Sequence, residues 1–313
     1  MAMQFKRALV TGGAGFIGSH LAEKLLECGI ETVVLDDLSV GHRRNVPERA
    51  HLMIGDVCDA KAVCEALADV DIVFHLAARV SIRDSFRGFT EDVRTNVMGT
   101  VNLLKCMEGS KAKKLIYSSS MATYGDAKYL PIDEKHPLEP SSPYGISKLS
   151  SEKYVLCFSR HIGIDSVILR YFNTYGKRQT FTPYVGVITI FIQKLRGGEE
   201  LPIFGDGTQI RDFVSVDDVA EANILAMGYR GPFRIFNIGT GTGTTIDSLA
   251  HILKGLMNKN CRIQYLPLQP GEPSSSVADI TLAKTELGFT PRLKVEEKLR
   301  DVIEWNMKET DRE

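Results

Sequence analysis

Tyr144 and Lys148 stand four residues apart in the segment SPYGISKLSSEKY, a spacing that places both side chains on one face of a helix. A phenol titrates near about 10, so it is a poor base at neutral pH unless a neighbouring cation favours the phenolate. Lys148 is of the type to supply that cation. Alone the pair is a weak signal, because the same spacing recurs on many solvated helix faces. Its surroundings strengthen it: the segment follows KLIYSSS, which ends in Ser118, Ser119 and Ser120. Three successive hydroxyls suit neither a strand interior nor a core unless something polar lies nearby. At the carboxyl end of a strand they would face the crevice where open α/β sheets bind ligands.

A second constellation lies near the N-terminus, where TGGAGFIGSH follows the apolar run 8–11 and a helical pattern resumes at Phe16 and Ile17. Gly12 permits the tight turn, Gly15 the close approach of a pyrophosphate, and Gly18 the packing of the helix on the sheet. The diphosphate would then face the positive end of the helix. The next strand, TVVLDD, ends in Asp36, which is 36 − 18 = 18 residues beyond Gly18. A carboxylate there accepts ribose hydroxyls and repels a 2′-phosphate, so NAD is favoured over NADP. His42, Arg43 and Arg44 could hold a phosphate but read better as a solvated basic loop. Asp56 and Val57, after the third strand, suit an adenine contact, with helix capping by Asp56 as the alternative. Leu76, Ala77 and Ala78 close the fourth strand with small residues where a cofactor must pass, although packing alone would also account for the alanines.

The elements that must position these residues follow from the alternation of texture. Short apolar runs at 8–11, 32–35, 52–54, 72–76, 115–117 and 166–169 alternate with helical patterns near 16–28, 59–68, 90–108 and 143–161. That order implies parallel crossovers and a Rossmann-type doubly wound parallel sheet. Beyond residue 176 glycine and proline are frequent and the helices shorten, with strands at 202–204 and 234–238, as in a smaller mixed α/β domain. The expected division is a cofactor-binding domain over 1–175 with 213–240 returning to it, and a substrate-binding domain over 176–212 and 241–313.

Charge and composition bound the partners. With 38 Lys plus Arg against 39 Asp plus Glu, the 313-residue chain has no basic excess for a nucleic acid to bind. Its longest apolar stretch, 187–192, is interrupted by Thr189 and falls far short of the roughly 20 residues of a membrane span. No membrane partner is expected. The N-terminus runs directly into the first strand, so a cytoplasmic location is expected. Six scattered cysteines with no Cys-x-x-Cys pair imply reduced, structural thiols and no metal site.

Together, TGGAGFIG, Asp36, HLAA, SSSMATYG, YGISK, LRYFNTYG, GDGTQIRDF and NIGTG resemble the extended short-chain dehydrogenase/reductase family, most closely its UDP-hexose 4-epimerases, over nearly the whole chain. The resemblance implies Tyr144 as the base, Lys148 as its partner and ribose ligand, and Ser120 as the hydroxyl on the sugar 4-oxygen. It adds Asn96, Ser118 and Tyr171 to the cofactor contacts. For the UDP-sugar it implies Asn173 and Arg211 on the diphosphate, Val187, Ile203 and Phe204 around the base, and Ser276 beside the sugar 2-position. An Asn that caps a turn and an Arg paired with Asp212 are the plainer alternatives for the diphosphate pair. Where relatives place a phosphate-binding Arg this chain has Gln269, which implies either a more weakly held diphosphate or substitution by Arg178 or another basic residue. Sugar-nucleotide dehydratases and decarboxylases carry acids immediately after the residue matching Ser120. Here Met121 and Ala122 stand there, which favours simple C4 inversion. The small Ser276 favours UDP-GlcNAc/UDP-GalNAc together with UDP-Glc/UDP-Gal, with UDP-glucuronate as the alternative. A homodimer joined through helices 90–108 and 143–161 is also implied.

Overall fold

The computed structural model describes residues 5–179, 186–232, 234–267, 274–292 and 295–310. Its centre is a sheet of seven parallel strands. The first half supplies β1 (Arg7–Thr11), β2 (Glu31–Asp36), β3 (His51–Ile54), β4 (Ile72–His75), β5 (Lys114–Ser120) and β6 (Asp165–Tyr171). The remaining strands are β7 (Asn173–Tyr175), β8 (Leu201–Phe204), β9 (Ile210–Ser215), β10 (Ile235–Ile238), β11 (Gly243–Thr245), β12 (Ile263–Leu266) and β13 (Ser275–Ser276). In space the large sheet runs β3-β2-β1-β4-β5-β6-β10. The direction of winding reverses between β1 and β4, which is where a doubly wound sheet opens its ligand crevice.

Both faces of this sheet are covered, which is why its strands read as continuous apolar runs. Successive residues point to opposite faces: Val10 and Ile116 join one buried cluster, Leu9 and Leu115 the other. The second cluster lies under α2 (Ala60–Ala66) and α5 (Gly99–Glu108), beyond α1 (Phe16–Glu27), α3 (Ile82–Ser85) and α4 (Phe89–Asp92) in chain order. The catalytic candidates ride on α6 (Pro143–Ile162), which packs on the same side. Further on come α7 (Val187–Gly197), α8 (Val216–Gly228), α9 (Ile246–Leu256) and α10 (Val295–Thr310). Residues of α8 and β10 share the first cluster with Leu21 and Leu25 of α1. A separate core unites α7, β8, α9 and α10 through Phe191, Leu201, Leu249 and Leu299.

Two expectations are corrected. The helix expected at 90–108 is interrupted: between α4 and α5 the turns of Val93–Met98 widen into a π-helix. Gly99 then lies so close to Val57 that a Cβ on it would come within 2.7 Å of the Val57 side chain. The cysteines are not all reduced, since Cys64 on α2 and Cys106 on α5 are joined in a disulfide. They are 42 residues apart in sequence, but the two helices lie side by side on the sheet and bring their Cα atoms to 5.3 Å. Among the described residues, no helix is long and apolar enough to cross a membrane, and no cluster of potential ligands is arranged to hold a metal ion.

Candidate active site

The glycine loop leaves β1 with Gly12 at φ +71°, where an added Cβ would meet the Ala77 backbone nitrogen at 2.7 Å. Gly18 is as constrained, its would-be Cβ 2.1 Å from the Gly12 carbonyl oxygen. Gly15 differs, because a Cβ there would touch only that carbonyl, at 3.2 Å. As the N-cap of α1 it offers no side chain to the first helical amides, those of Phe16 and Ile17. The result is a cradle of backbone donors at the positive end of a helix, suited to a pyrophosphate. Beside it, Asp36 accepts from the amides of Ala14 and Leu38, both at 2.9 Å. Burial holds its carboxyl above the usual range, against the pull of those two donors. These residues fit a dinucleotide.

Across the switch point the strand ends are bound together. Thr11 Oγ1 lies 2.7 Å from His75 Nδ1 and accepts from the amide of Ala77, so β1 holds the loop that carries Leu76, Ala77 and Ala78. The other ring nitrogen of His75 faces Thr100 Oγ1 at 3.0 Å, and that hydroxyl already donates to the Asn96 carbonyl. Thr100 must therefore accept, which puts the proton of a neutral His75 on Nε2. Burial and Lys148 push His75 down to about 3.

The start of α6 is built by Ser142, whose hydroxyl accepts from the Gly145 amide, and by Pro143 in the first turn. Gly145 is required by a close approach: a Cβ there would lie 2.4 Å from the Ala122 carbonyl oxygen. Ala122 belongs to the short turn Met121–Thr123 that Ser120 caps. The approach therefore fixes that turn, with Ser120 at its head, against the helix of Tyr144. Burial pushes Tyr144 up to about 12, while Ser120 draws it down and Asp92 raises it. The Lys148 ammonium, one helical turn beyond Tyr144, lies 4.6 Å from the centre of the Tyr117 ring. Burial lowers it to about 8.

Other expected cofactor contacts are engaged within the protein. The Asn96 amide accepts from the Arg79 backbone nitrogen and donates to the Arg79 carbonyl and to Ser147, tying the loop after β4 to α6. Ser118 and Tyr171 bond each other at 2.9 Å, and Tyr171 also meets Asn223. Asp56 accepts from the Cys58 amide and pairs with Arg94; the helix cap of α2 is Asp59 instead. Val57 is buried under Gly99. His42, Arg43 and Arg44 are exposed.

On the far side of the crevice, Asn173, Arg211 and Ser276 come together. Asn173 donates to Ser276 at 3.3 Å, and Ser276 stands beside Arg211 in the β9–β13 pairing. The Asp212 carboxylate, the alternative partner for Arg211, is buried and accepts from Thr240, Gly241 and Ala278, while the Arg211 guanidinium donates to the Ile210 carbonyl. Val187 is half-buried at the start of α7. Ile203 is corrected to a core residue: strand alternation turns it into the cluster with Leu195 and Leu201, while Phe204 faces the other way. Over the Phe204 ring, 4.6 Å from its centre, sits the guanidinium of Arg83, a residue the sequence reading did not single out. Its helix α3 also supplies Ser85, which accepts from the Tyr144 amide. Arg178 is held by Glu23 of α1 at 2.6 Å. Gln269 lies outside the described residues.

Comparison with known proteins agrees with this geometry. Residues 8–239 match the NAD dependent epimerase/dehydratase family. The UDP-glucose 4-epimerase of Lactobacillus helveticus is 36% identical, the match covering 95% of this chain and 94% of that one. A crystal structure of UDP-glucose 4-epimerase from Thermotoga maritima, with UDP-glucose, superposes with a TM-score of 0.94 at 40% identity, covering 97% and 99% of the two chains. The UDP-N-acetylglucosamine 4-epimerase of Methanobrevibacter ruminantium, in complex with UDP-N-acetylmuramic acid, follows at TM-score 0.92 and 35% identity, covering 98% and 100%. The chain belongs to the NAD dependent epimerase/dehydratase family, and NAD is its cofactor.

Proposed function

We propose that the protein is a UDP-hexose 4-epimerase. The observation that carries this reading is that Met121 and Ala122 follow Ser120 in the turn held against the helix of Tyr144. The site thus has a phenol to move the proton of the 4-hydroxyl and no acid in that turn to eliminate the 6-hydroxyl or direct a decarboxylation. Asp92, whose charge Tyr144 feels, is buried and bound to Ser147. NAD, when bound, would supply reversible hydride chemistry at the sugar C4. Tyr144 accepts the 4-hydroxyl proton and gives it back, Ser120 holds the 4-oxygen, and the Lys148 cation favours the phenolate once ligands seal the pocket. The glycine loop and Asp36 hold the dinucleotide.

Asn173 and Arg211 are assigned to the substrate diphosphate and Phe204 to the base. Arg83 on the Phe204 ring offers the guanidinium that Gln269 does not. The cofactor half is 1–175 with 213–240, since β10 extends the large sheet and α8 packs on α1; the sugar-nucleotide half is 176–212 with 241–313. The small side chain of Ser276 beside Asn173 supports both UDP-GlcNAc and UDP-glucose as the proposed substrates. The test is incubation with UDP-glucose, UDP-GlcNAc and UDP-glucuronate separately, resolving the C4 epimers. Ser276→Tyr should abolish turnover of UDP-GlcNAc and spare UDP-glucose. Equal loss of both would end the pocket argument, and turnover of UDP-glucuronate alone would replace the substrate assignment.

A further inference from the structure

A buried ion pair stands behind the site. Glu152 on α6 and Arg170 on β6 are joined by two hydrogen bonds of 2.9 and 2.6 Å, and both side chains are 1% exposed. Such a pair has two desolvation costs and often stabilises a fold no more than apolar residues of the same volume would. Its contacts indicate another role. Ser119, the neighbour of Ser120, donates to Glu152 Oε1 at 2.6 Å. Arg170 donates to the Tyr124 hydroxyl at 2.9 Å, and Tyr124 closes the turn that Ser120 opens. Tyr124 in turn donates to Asn237 at 2.7 Å. Glu152 also follows Lys148 by four residues, one turn along the same helix face. One carboxylate thus bridges the helix of Tyr144 and Lys148 and the strand end of Ser120, and through Arg170 it reaches the turn after Ser120.

We propose that Glu152, backed by Arg170, is a positioning residue for the 4-epimerase reaction: it keeps Lys148 an ammonium and holds Ser120 against Tyr144. The inference rests on the function proposed above. Lys148 is faced by the Tyr117 ring from β5, by neutral His75 from β4, by Asp92 from α4, and by Tyr144 and Glu152 on its own helix. Burial favours the neutral amine, and Glu152 is the foremost group opposing it, followed by Asp92. Asp92 is itself raised by burial. Without the Glu152 charge, burial of Lys148 would be opposed mainly by Asp92, and its proton would leave at lower pH.

The test is Glu152→Gln, which keeps an acceptor of the same size for Ser119, measured as NAD-loaded protein on UDP-glucose from about pH 6 to 10. The expected result is a fall in kcat of about tenfold or more with KM within about twofold. The alkaline limb of kcat should move down by about one pH unit, a shift that lost packing alone would not produce. Glu152→Asp should return the limb to its wild-type position. A folded Glu152→Gln with wild-type kcat and an unmoved limb overturns the inference. Should that variant fail to fold, Ser119→Ala cuts only the tie to β5, and an unchanged kcat in it overturns the inference as well. Wild-type protein inactive on every UDP-hexose would overturn the parent function and this role with it, whereas active wild type with unaltered variants overturns this role alone.

Discussion

At the scale of single residues, the site separates groups that react from groups that support them. Tyr144→Phe removes the phenol proposed to exchange the substrate proton, so epimerisation should fall by about 10²-fold or more. NAD should remain bound, as measured by its release on denaturation; near wild-type turnover would remove Tyr144 as the base. His75 offers a stability test. Its folded pKa is depressed to about 3 from 6.5, so below 6.5 the unfolded chain binds a proton that the folded chain does not. The His75 contribution is therefore complete above pH 6.5 and is lost as pH falls toward 3, by roughly 1.4 kcal/mol per unit. Urea unfolding at pH 7 and 5 should show this loss in wild type and a smaller one in His75→Gln. The placement of Tyr144 and Lys148 on one helix and of Asp36 at the end of the second strand could be read from spacing, whereas the role proposed for Ser120 came from the family resemblance. Asn96, Ser118 and Tyr171 were not legible as internal bonding groups. Ser118 and Tyr171, for example, are 53 residues apart, and only packing brings them together. Ile203 failed for a different reason: a one-residue phase decides which face of a strand a side chain joins.

At the scale of elements, the strand and helix order could be read from alternation, and the seven-stranded parallel sheet follows it. The break in the helix at 90–108 could not, because a π-helical stretch is set by what the helix must reach. Ser151 of α6 donates to the Asn96 carbonyl inside that stretch, and Ser147 meets Asp92 at its edge. The Cys64–Cys106 link was equally hidden, since scattered cysteines disclose no helix neighbours. Gly145 links element to chemistry. Gly145→Ala should push the turn at Ala122 off α6, lowering kcat by about tenfold or more while the KM for UDP-glucose changes little. Wild-type kcat in a folded Gly145→Ala protein would show that the approach of turn and helix does not set the Ser120 position.

At the scale of the whole molecule, a net charge of −1 gives no general attraction for anions, so the function proposed above requires that the charge of its ligands be met locally, by a helix N-terminus and by Arg211. We propose that the exposed apolar residues Val93, Met98, Ile146 and Tyr154 form the face through which two copies associate. Light scattering after gel filtration should give twice the 34.7 kDa chain mass for wild type and a single mass for Ile146→Glu/Tyr154→Glu. A wild-type monomer would discard that face. The seventh strand also bears on how the protein is made. By Tyr171 a nascent chain has six strands of the large sheet, but the edge of β6 is unpaired and the outer face of α1 lacks α8. Both wait for residues 216–238, about three-quarters of the way along the chain. Until those residues leave the ribosome, an open parallel edge is exposed to other nascent chains, so synthesis of this enzyme carries its aggregation hazard late rather than early.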